Sequence, residues 1–156
     1  MIKKGIILAG GIGTRMSPLT KAVNKQLLPL YDKPLIFYPL SLLMLAGIKK
    51  ILIIVNKGQL NQFRKILPEK NNLGISIEYK EQNKPLGLPE AFLIGKKFIG
   101  NDSVSLILGD NFFYGQSLTK ILKKNLNFKS GAKIFVHPVK NPNQYGVAIL
   151  NKRKKV

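Results

Sequence analysis

The sequence predicts an α/β fold, a mostly parallel sheet flanked by helices on both sides, in one domain. Short apolar runs such as Gly5 to Leu8 and Ile51 to Val55 are apolar at consecutive positions, the pattern of strands covered on both faces. Between them lie longer stretches of helical period, and strands alternating with helices build β-α-β units with parallel neighbours. The chain has 156 residues, 45% of them apolar and 21% charged, ordinary values for one globular domain with a buried core.

The elements follow in order. Gly5 to Leu8 (G-I-I-L) ends in glycines and opens a long loop. Pro34 suits the first turn of a helix continued by Leu35 to Ala46, interrupted at Pro39 and stopped at Gly47. Its composition predicts burial, and Tyr31, Phe37 and Tyr38 around its start are read as core. Ile51 to Val55 is the clearest strand, and Gln59 to Leu67 forms a helix with Phe63, Ile66 and Leu67 as its apolar face, ended by Pro68. Ile75 to Lys80 alternates as a strand, Pro89 to Ile99 reads as one helix closed by Gly100, and Val104 to Leu108 is a further buried strand. Leu118 to Leu126 places Leu118, Ile121, Leu122 and Leu126 on one helical face. Lys133 to Val139, with the only histidine, His137, is predicted as a strand, and Val147 to Leu150 as another.

Composition excludes several functions. Without cysteine there is no disulfide scaffold, no cysteine-ligated zinc and no thiol nucleophile. The longest uncharged stretch, Pro34 to Ile48, contains a proline and a glycine and falls short of the roughly 18 residues a membrane span needs. Lys3 and Lys4 precede an apolar run too short for a signal peptide, so a cytoplasmic protein with no membrane partner is expected. The net charge of +19 would suit nucleic acid, but lysine pairs are scattered along the chain and arginine, the residue of bidentate readout, occurs only at positions 15, 64 and 153. No nucleic-acid partner is expected, and a basic nucleic-acid-binding domain stays as the contrasting alternative.

In parallel α/β sheets ligands bind beyond the carboxyl ends of the strands, which selects three loops. In Ala9 to Lys25, Gly10, Gly11 and Gly13 let the backbone turn tightly and aim N–H groups at phosphate oxygens, while Arg15, Lys21 and Lys25 add positive charge. The spacing fits neither G-x-G-x-x-G, because position 16 is methionine, nor the P-loop pattern. In Glu81 to Gly87, Gln82 offers donor and acceptor to a base edge and Gly87 permits close approach of a flat ring; a plain surface turn would look the same. In Gly109 to Asn111, Asp110 is a candidate Mg²⁺ ligand, since magnesium is often held by one or two carboxylates plus substrate phosphates; a Gly-Asp turn is the alternative. Together the loops describe a site for a magnesium-bound nucleotide. Tyr145 and Gly146 lead into a predicted strand and could line a pocket, whereas His137 has no partner for catalysis.

Two long motifs, L-A-G-G-I-G-T-R-M-S-P-L-T from Leu8 and K-Q-L-L-P-L-Y-D-K-P-L-I-F-Y-P-L from Lys25, together with L-G-D-N-F-F-Y-G from Leu108 and Q-Y-G-V from Gln144, resemble bacterial glucose-1-phosphate thymidylyltransferases over the whole chain. The resemblance implies a Rossmann-like nucleotidyltransferase fold that joins dTTP and glucose 1-phosphate, releasing pyrophosphate and dTDP-glucose for deoxysugars such as dTDP-rhamnose and, through them, O-antigen. It implies that Gly10, Gly11, Gly13, Thr14 and Arg15 hold the triphosphate, with Arg15 stabilising the departing pyrophosphate. Lys25 would position the sugar phosphate, Gln26 would join the nucleotide site, Gln82 and Gly87 would contact thymine, Asp110 would bind Mg²⁺, and Tyr145 with Gly146 would line the glucose pocket. Where related uridylyltransferases carry K-E-M-L-P this chain has Lys25-Gln26-Leu27-Leu28-Pro29, which favours dTTP. The base loop departs from the family's P-D-G-L-A-Q-A, reading Pro85-Leu86-Gly87-Leu88-Pro89-Glu90-Ala91. The family is nearly twice as long, so residues 1–156 correspond to its nucleotide-binding half. The sugar-gripping lysine, a second metal carboxylate and the surfaces of its homo-oligomer are expected outside them. A truncated remnant that binds nucleotide without turnover is therefore the nearer alternative to an active transferase.

Overall fold

The computed structural model describes residues 1–127 and 130–151. The main sheet has four strands: β1 (Lys4–Ala9), β4 (Lys50–Asn56), β5 (Ser76–Gln82) and β6 (Val104–Leu108), in the order β5-β4-β1-β6 with every pair parallel. The chain moves outward from β1 through β4 to β5 and then crosses back to lay β6 on the other side of β1. That reversal puts the switch point, where loops diverge and leave a crevice, at the carboxyl ends of β1 and β6.

Each inner strand buries both faces, as the uninterrupted apolar runs require. Ile7, Ile53 and Tyr79 share a row across the sheet, as do Ile6 and Leu52 on the opposite face. The first face, with Ile7, Ala9, Ile51, Ile53, Val55 and Ile107, packs against α2 (Phe37–Leu45), α3 (Leu60–Ile66) and the end of α6 (Leu118–Asn125), through Leu40, Leu43, Phe63, Leu67 and Leu126. Tyr79 stands in this core with its hydroxyl donating to Leu67 O at 2.6 Å, and burial pushes its phenol well above the ordinary range. The second face, with Ile6, Leu52 and Ile54, is covered by α4 (Leu88–Ile94) and α5 (Lys96–Ile99).

The stretch Pro89 to Ile99 forms two helices, not one. At the break, Gly95 lies against the sheet so closely that an added Cβ would stand 3.1 Å from Ile6 Cδ1, 3.2 Å from Leu52 Cδ2 and 2.9 Å from Ala91 O. Lys4 at the start of β1 then fixes α5: its ammonium donates to Phe98 O at 2.6 Å and Ile99 O at 3.0 Å, the orphan carbonyls of the helix end, and pairs with Asp102 at 2.7 Å.

Other expectations are corrected. Pro34 does not open α2 but belongs to β3 (Lys33–Pro34), which forms a small antiparallel hairpin with β2 (Pro29–Leu30). Tyr31 in its turn takes φ 63° and is exposed, so it is not core. A short helix α1 (Leu19–Ala22) interrupts the long loop after β1. Lys133 to Val139 and Val147 to Leu150 are not strands: they carry strand-like residues, but β6 pairs only with β1 among the described residues, so no neighbour supplies a second row of hydrogen bonds. His137 accordingly sits on exposed irregular chain. Among the described residues no helix is long and apolar enough to cross a membrane.

Candidate functional site

Beyond the carboxyl ends of the strands the first glycines of the β1 loop turn under tight steric control. Gly10 has no room for a side chain, because an added Cβ would lie 1.7 Å from Gln82 Nε2. That amide donates to Gly10 O at 2.8 Å and to Asn56 Oδ1 at 3.0 Å, so Gln82, at the end of β5, ties the base of the loop to the end of β4. Gly13 takes φ 67°, a left-handed conformation, and its carbonyl accepts from the Thr20 hydroxyl at 2.8 Å. The turn Thr14–Met16 follows, with Thr14 and Arg15 exposed. Arg15 makes no ion pair or hydrogen bond among the described residues.

The chain returns to β1 at Asn24-Lys25-Gln26. Asn24 is 3% exposed: its Oδ1 accepts from Gln26 N–H at 2.8 Å, capping the turn Lys25–Leu27, while its Nδ2 donates to Ala9 O at 3.3 Å and to Gln59 Oε1. Lys25 Nζ meets Asp110 Oδ2 at 2.8 Å, each side chain about one-third exposed at 29% and 31%. Gln26 is 2% exposed, and its Oε1 is the buried side-chain atom without a hydrogen-bond partner among the described residues. Leaving such an acceptor unmet costs about 1–3 kcal/mol, so a donor from water or a bound molecule would be favoured there.

From β6 the loop Gly109-Asp110 comes in close, since a Cβ on Gly109 would stand 2.9 Å from Gln26 Cγ and 3.1 Å from Ala9 Cβ. Across the gap Gly87 takes φ 106° and ψ 176°, a region open essentially to glycine alone, and begins α4. The Glu90 carboxylate accepts from Leu86 N–H at 2.9 Å and fixes that turn.

These pieces enclose a cleft of about 250 Å³ lined by Leu8, Gly10, Gly11, Gln26, Gln82, Pro85, Gly87, Leu88, Leu108 and Asp110. Three loops chosen from the sequence converge there, contributing Gly10, Gly11, Gln26, Gln82, Gly87 and Asp110, with Lys25 joined through Asp110. Gly13, Thr14 and Arg15 do not line it. Tyr145 and Gly146 are not brought to it: both are exposed, on the chain that follows the short 3-10 turn Pro142–Gln144. Sequence reasoning missed Asn24, Asn56 and Gln59. For Asn24 a signal existed, because asparagine two residues before a backbone N–H that needs an acceptor is a good capping residue. The arrangement offers polar backbone and amide groups, one carboxylate and one ammonium around a walled slot, the means to hold a flat polar ring and an anionic tail.

The nucleotidyl transferase family profile matches residues 4–156. A Neisseria meningitidis protein named glucose-1-phosphate thymidylyltransferase is 55% identical over 148 residues, covering 95% of this chain and 51% of its own length. Among solved structures, a Bacillus anthracis glucose-1-phosphate thymidylyltransferase crystallised with sucrose superposes with TM-score 0.88 at 37% identity, covering 97% of this chain and 61% of that one. A UDP-glucose pyrophosphorylase complexed with UDP-glucose follows at TM-score 0.66 and 31% identity, covering 80% and 52%. The chain thus spans about half the length of the curated relatives it matches. With the sheet order, the glycine loop and a match across nearly all of its residues, the chain belongs to the nucleotidyl transferase family.

Proposed function

We propose that residues 1–156 form the nucleotide-binding half of a glucose-1-phosphate thymidylyltransferase, in which a phosphate oxygen of glucose 1-phosphate attacks the α-phosphorus of dTTP. The new P–O bond gives dTDP-glucose as the bond to the β-phosphate breaks and pyrophosphate leaves. One observation carries this reading: six residues from three separate loops, Gly10, Gly11, Gln26, Gln82, Gly87 and Asp110, line one cleft. The name shared by the relatives supports the substrate pair.

In such a transfer the protein supplies alignment and charge and needs no covalent nucleophile. The backbone N–H groups after Gly10 would hold the triphosphate, and the exposed Arg15, with no partner among the described residues to compete for it, would take charge from the departing pyrophosphate. Thymine would enter the slot between Gln82 and Gly87, and a donor on the ligand would satisfy Gln26 Oε1. Lys25, now neutralised by Asp110, would turn to the sugar phosphate. Tyr145 and Gly146 belong to the sugar side of the reaction.

The residues also suit Mg²⁺. Asp110 presents a partly exposed carboxylate inside the cleft, and no group of three or more acidic or histidine ligands occurs among the described residues. That donor set fits an ion that completes its shell with nucleotide phosphates and water, as magnesium does. When bound, the ion would neutralise charge on the phosphates. The product would feed deoxysugars such as dTDP-rhamnose and hence O-antigen, in the cytoplasm where nucleotide sugars are made, with the whole protein a homo-oligomer.

A pyrophosphate-release assay with dTTP, glucose 1-phosphate and Mg²⁺ tests the reading. Release that needs both substrates and the metal supports transfer. Mg²⁺-dependent dTTP binding without release leaves this chain as a nucleotide-binding half only, a reading favoured by the exposed position of Tyr145. The absence of both binding and release overturns the proposal.

A further inference from the structure

Among the described residues the three buried polar side chains, Asn24, Gln26 and Gln82, all lie at the carboxyl ends of the strands. They belong to two short chains of carboxamides. In one, Gln82 Nε2 binds Gly10 O and Asn56 Oδ1. In the other, Asn24 Nδ2 binds Ala9 O and Gln59 Oε1, while its Oδ1 receives Gln26 N–H. Gln59 does not line the cleft. It is the residue before α3, and its own N–H donates to Asn56 O at 3.1 Å, so the two chains meet at the loop after β4.

The carbonyls that these amides hold, Ala9 and Gly10, are the two at which β1 becomes the glycine loop. The side-chain amide donors of Asn24 and Gln82 are both taken up by protein acceptors. Asn24 itself does not line the cleft, whereas its neighbour Gln26 does.

We infer that Asn24 is a positioning residue: it clamps the Lys25–Gln26 turn to the end of β1, so that Lys25 reaches Asp110 and Gln26 lines the cleft. This inference rests on the nucleotide-binding reading above. Without the clamp the turn loses its capping acceptor and its tie to Ala9, and both cleft residues lose their fixed origin. Gln59 holds the clamp from behind, since an Asn24 amide without that acceptor has one partner fewer to orient it. Serine at position 24 keeps an oxygen for Gln26 N–H but cannot reach Ala9 and Gln59 together, so it restores the cap alone.

The test is calorimetric titration of Mg²⁺ and dTTP into the chain, its Asn24→Ala, Asn24→Ser and Gln59→Ala variants, and the double variant Asn24→Ala with Gln59→Ala. All are measured at a temperature where thermal unfolding shows each one folded. Asn24→Ala is expected to weaken dTTP about tenfold, Asn24→Ser and Gln59→Ala by a smaller factor, and the double variant no more than Asn24→Ala alone, because Gln59 acts through Asn24. A lowered melting temperature with dTTP affinity within twofold of the parent would reduce Asn24 to a structural cap and overturn the inference. Factors that multiply in the double variant would overturn the clamp as a unit. If the parent chain binds no dTTP, the nucleotide reading itself falls and takes the inference with it. If Asn24→Ala does not fold, Asn24→Ser against Gln59→Ala carries the same comparison, and equality of both with the parent overturns it.

Discussion

Residues 4–126 and residues 130–151 carry apolar runs of the same kind and treat them in opposite ways. In β4, Ile51 to Val55 are fully buried, with β1 and β5 alongside and helices on both faces. In the later segment Ile134, Phe135 and Val136 are 59%, 54% and 57% exposed, and Ile149 is 85% exposed. The difference is in neighbours and not in propensity. A strand pays its ordering entropy only when adjacent strands take its hydrogen bonds and packed layers take its side chains. The candidate nucleotide cleft is assembled wholly from the first region, and the expected sugar residues, Tyr145 and Gly146, lie in the second.

The largest effect comes from cutting the same side chain in both regions. Ile53→Ala, at the centre of β4, should destabilise the chain by about 3 kcal/mol, as buried isoleucine truncations do. Ile134→Ala should change stability by under about 0.5 kcal/mol. Urea unfolding followed by circular dichroism reads both, and similar losses would erase the distinction between the regions.

Function should divide along the same line. Arg15→Ala is expected to slow pyrophosphate release by the active transferase about 10²-fold, roughly 2.7 kcal/mol of lost charge stabilisation. An effect within twofold would remove Arg15 from the reaction. Tyr145→Ala should leave dTTP affinity within twofold in a direct titration, because Tyr145 stands outside the cleft.

Smaller effects probe the first region alone. Tyr79→Phe removes the hydroxyl from Leu67 O and should cost about 1 kcal/mol in the same urea experiment. At the other end of the sheet, the Lys4 ammonium holds the Asp102 carboxyl below its ordinary range, chiefly by their hydrogen bond. A depressed carboxyl stabilises the fold above its unfolded value of about 3.9 and loses that contribution as pH falls through the folded value. Melting temperature should therefore drop in acid partly through this pair, and Asp102→Asn should flatten that part of the curve. An unchanged acid slope would show that the pair is spectator.

What was legible in the sequence follows the same physics. Ile51 to Val55 announced a strand because consecutive apolar residues have few other uses, and the three loops announced a site because glycines, cations, an amide and a carboxylate recur where strands end. The break at Gly95 was not legible. A glycine inside a helical pattern looks like a tolerated fault until the sheet is seen to leave no room for a Cβ, which would stand 3.1 Å from Ile6 Cδ1. The hairpin at Tyr31 hides for a similar reason, since its turn puts tyrosine at φ 63° where asparagine or glycine is the usual signal. Lys133 to Val139 misled in the opposite direction: its branched and aromatic residues are real, but strand identity also needs a partner strand. Asn24 was overlooked because an asparagine in a loop has many uses, and only its contacts with Ala9, Gln26 and Gln59 select one.

The central claim is that the nucleotide cleft is complete within the first region. Hydrogen–deuterium exchange of the chain with and without Mg²⁺ and dTTP tests it most directly. The account predicts slowed exchange in the loops 10–26, 82–87 and 109–111, with residues 130–151 unchanged. Protection that appears in 130–151, or is absent from the three loops at saturating dTTP, would contradict it.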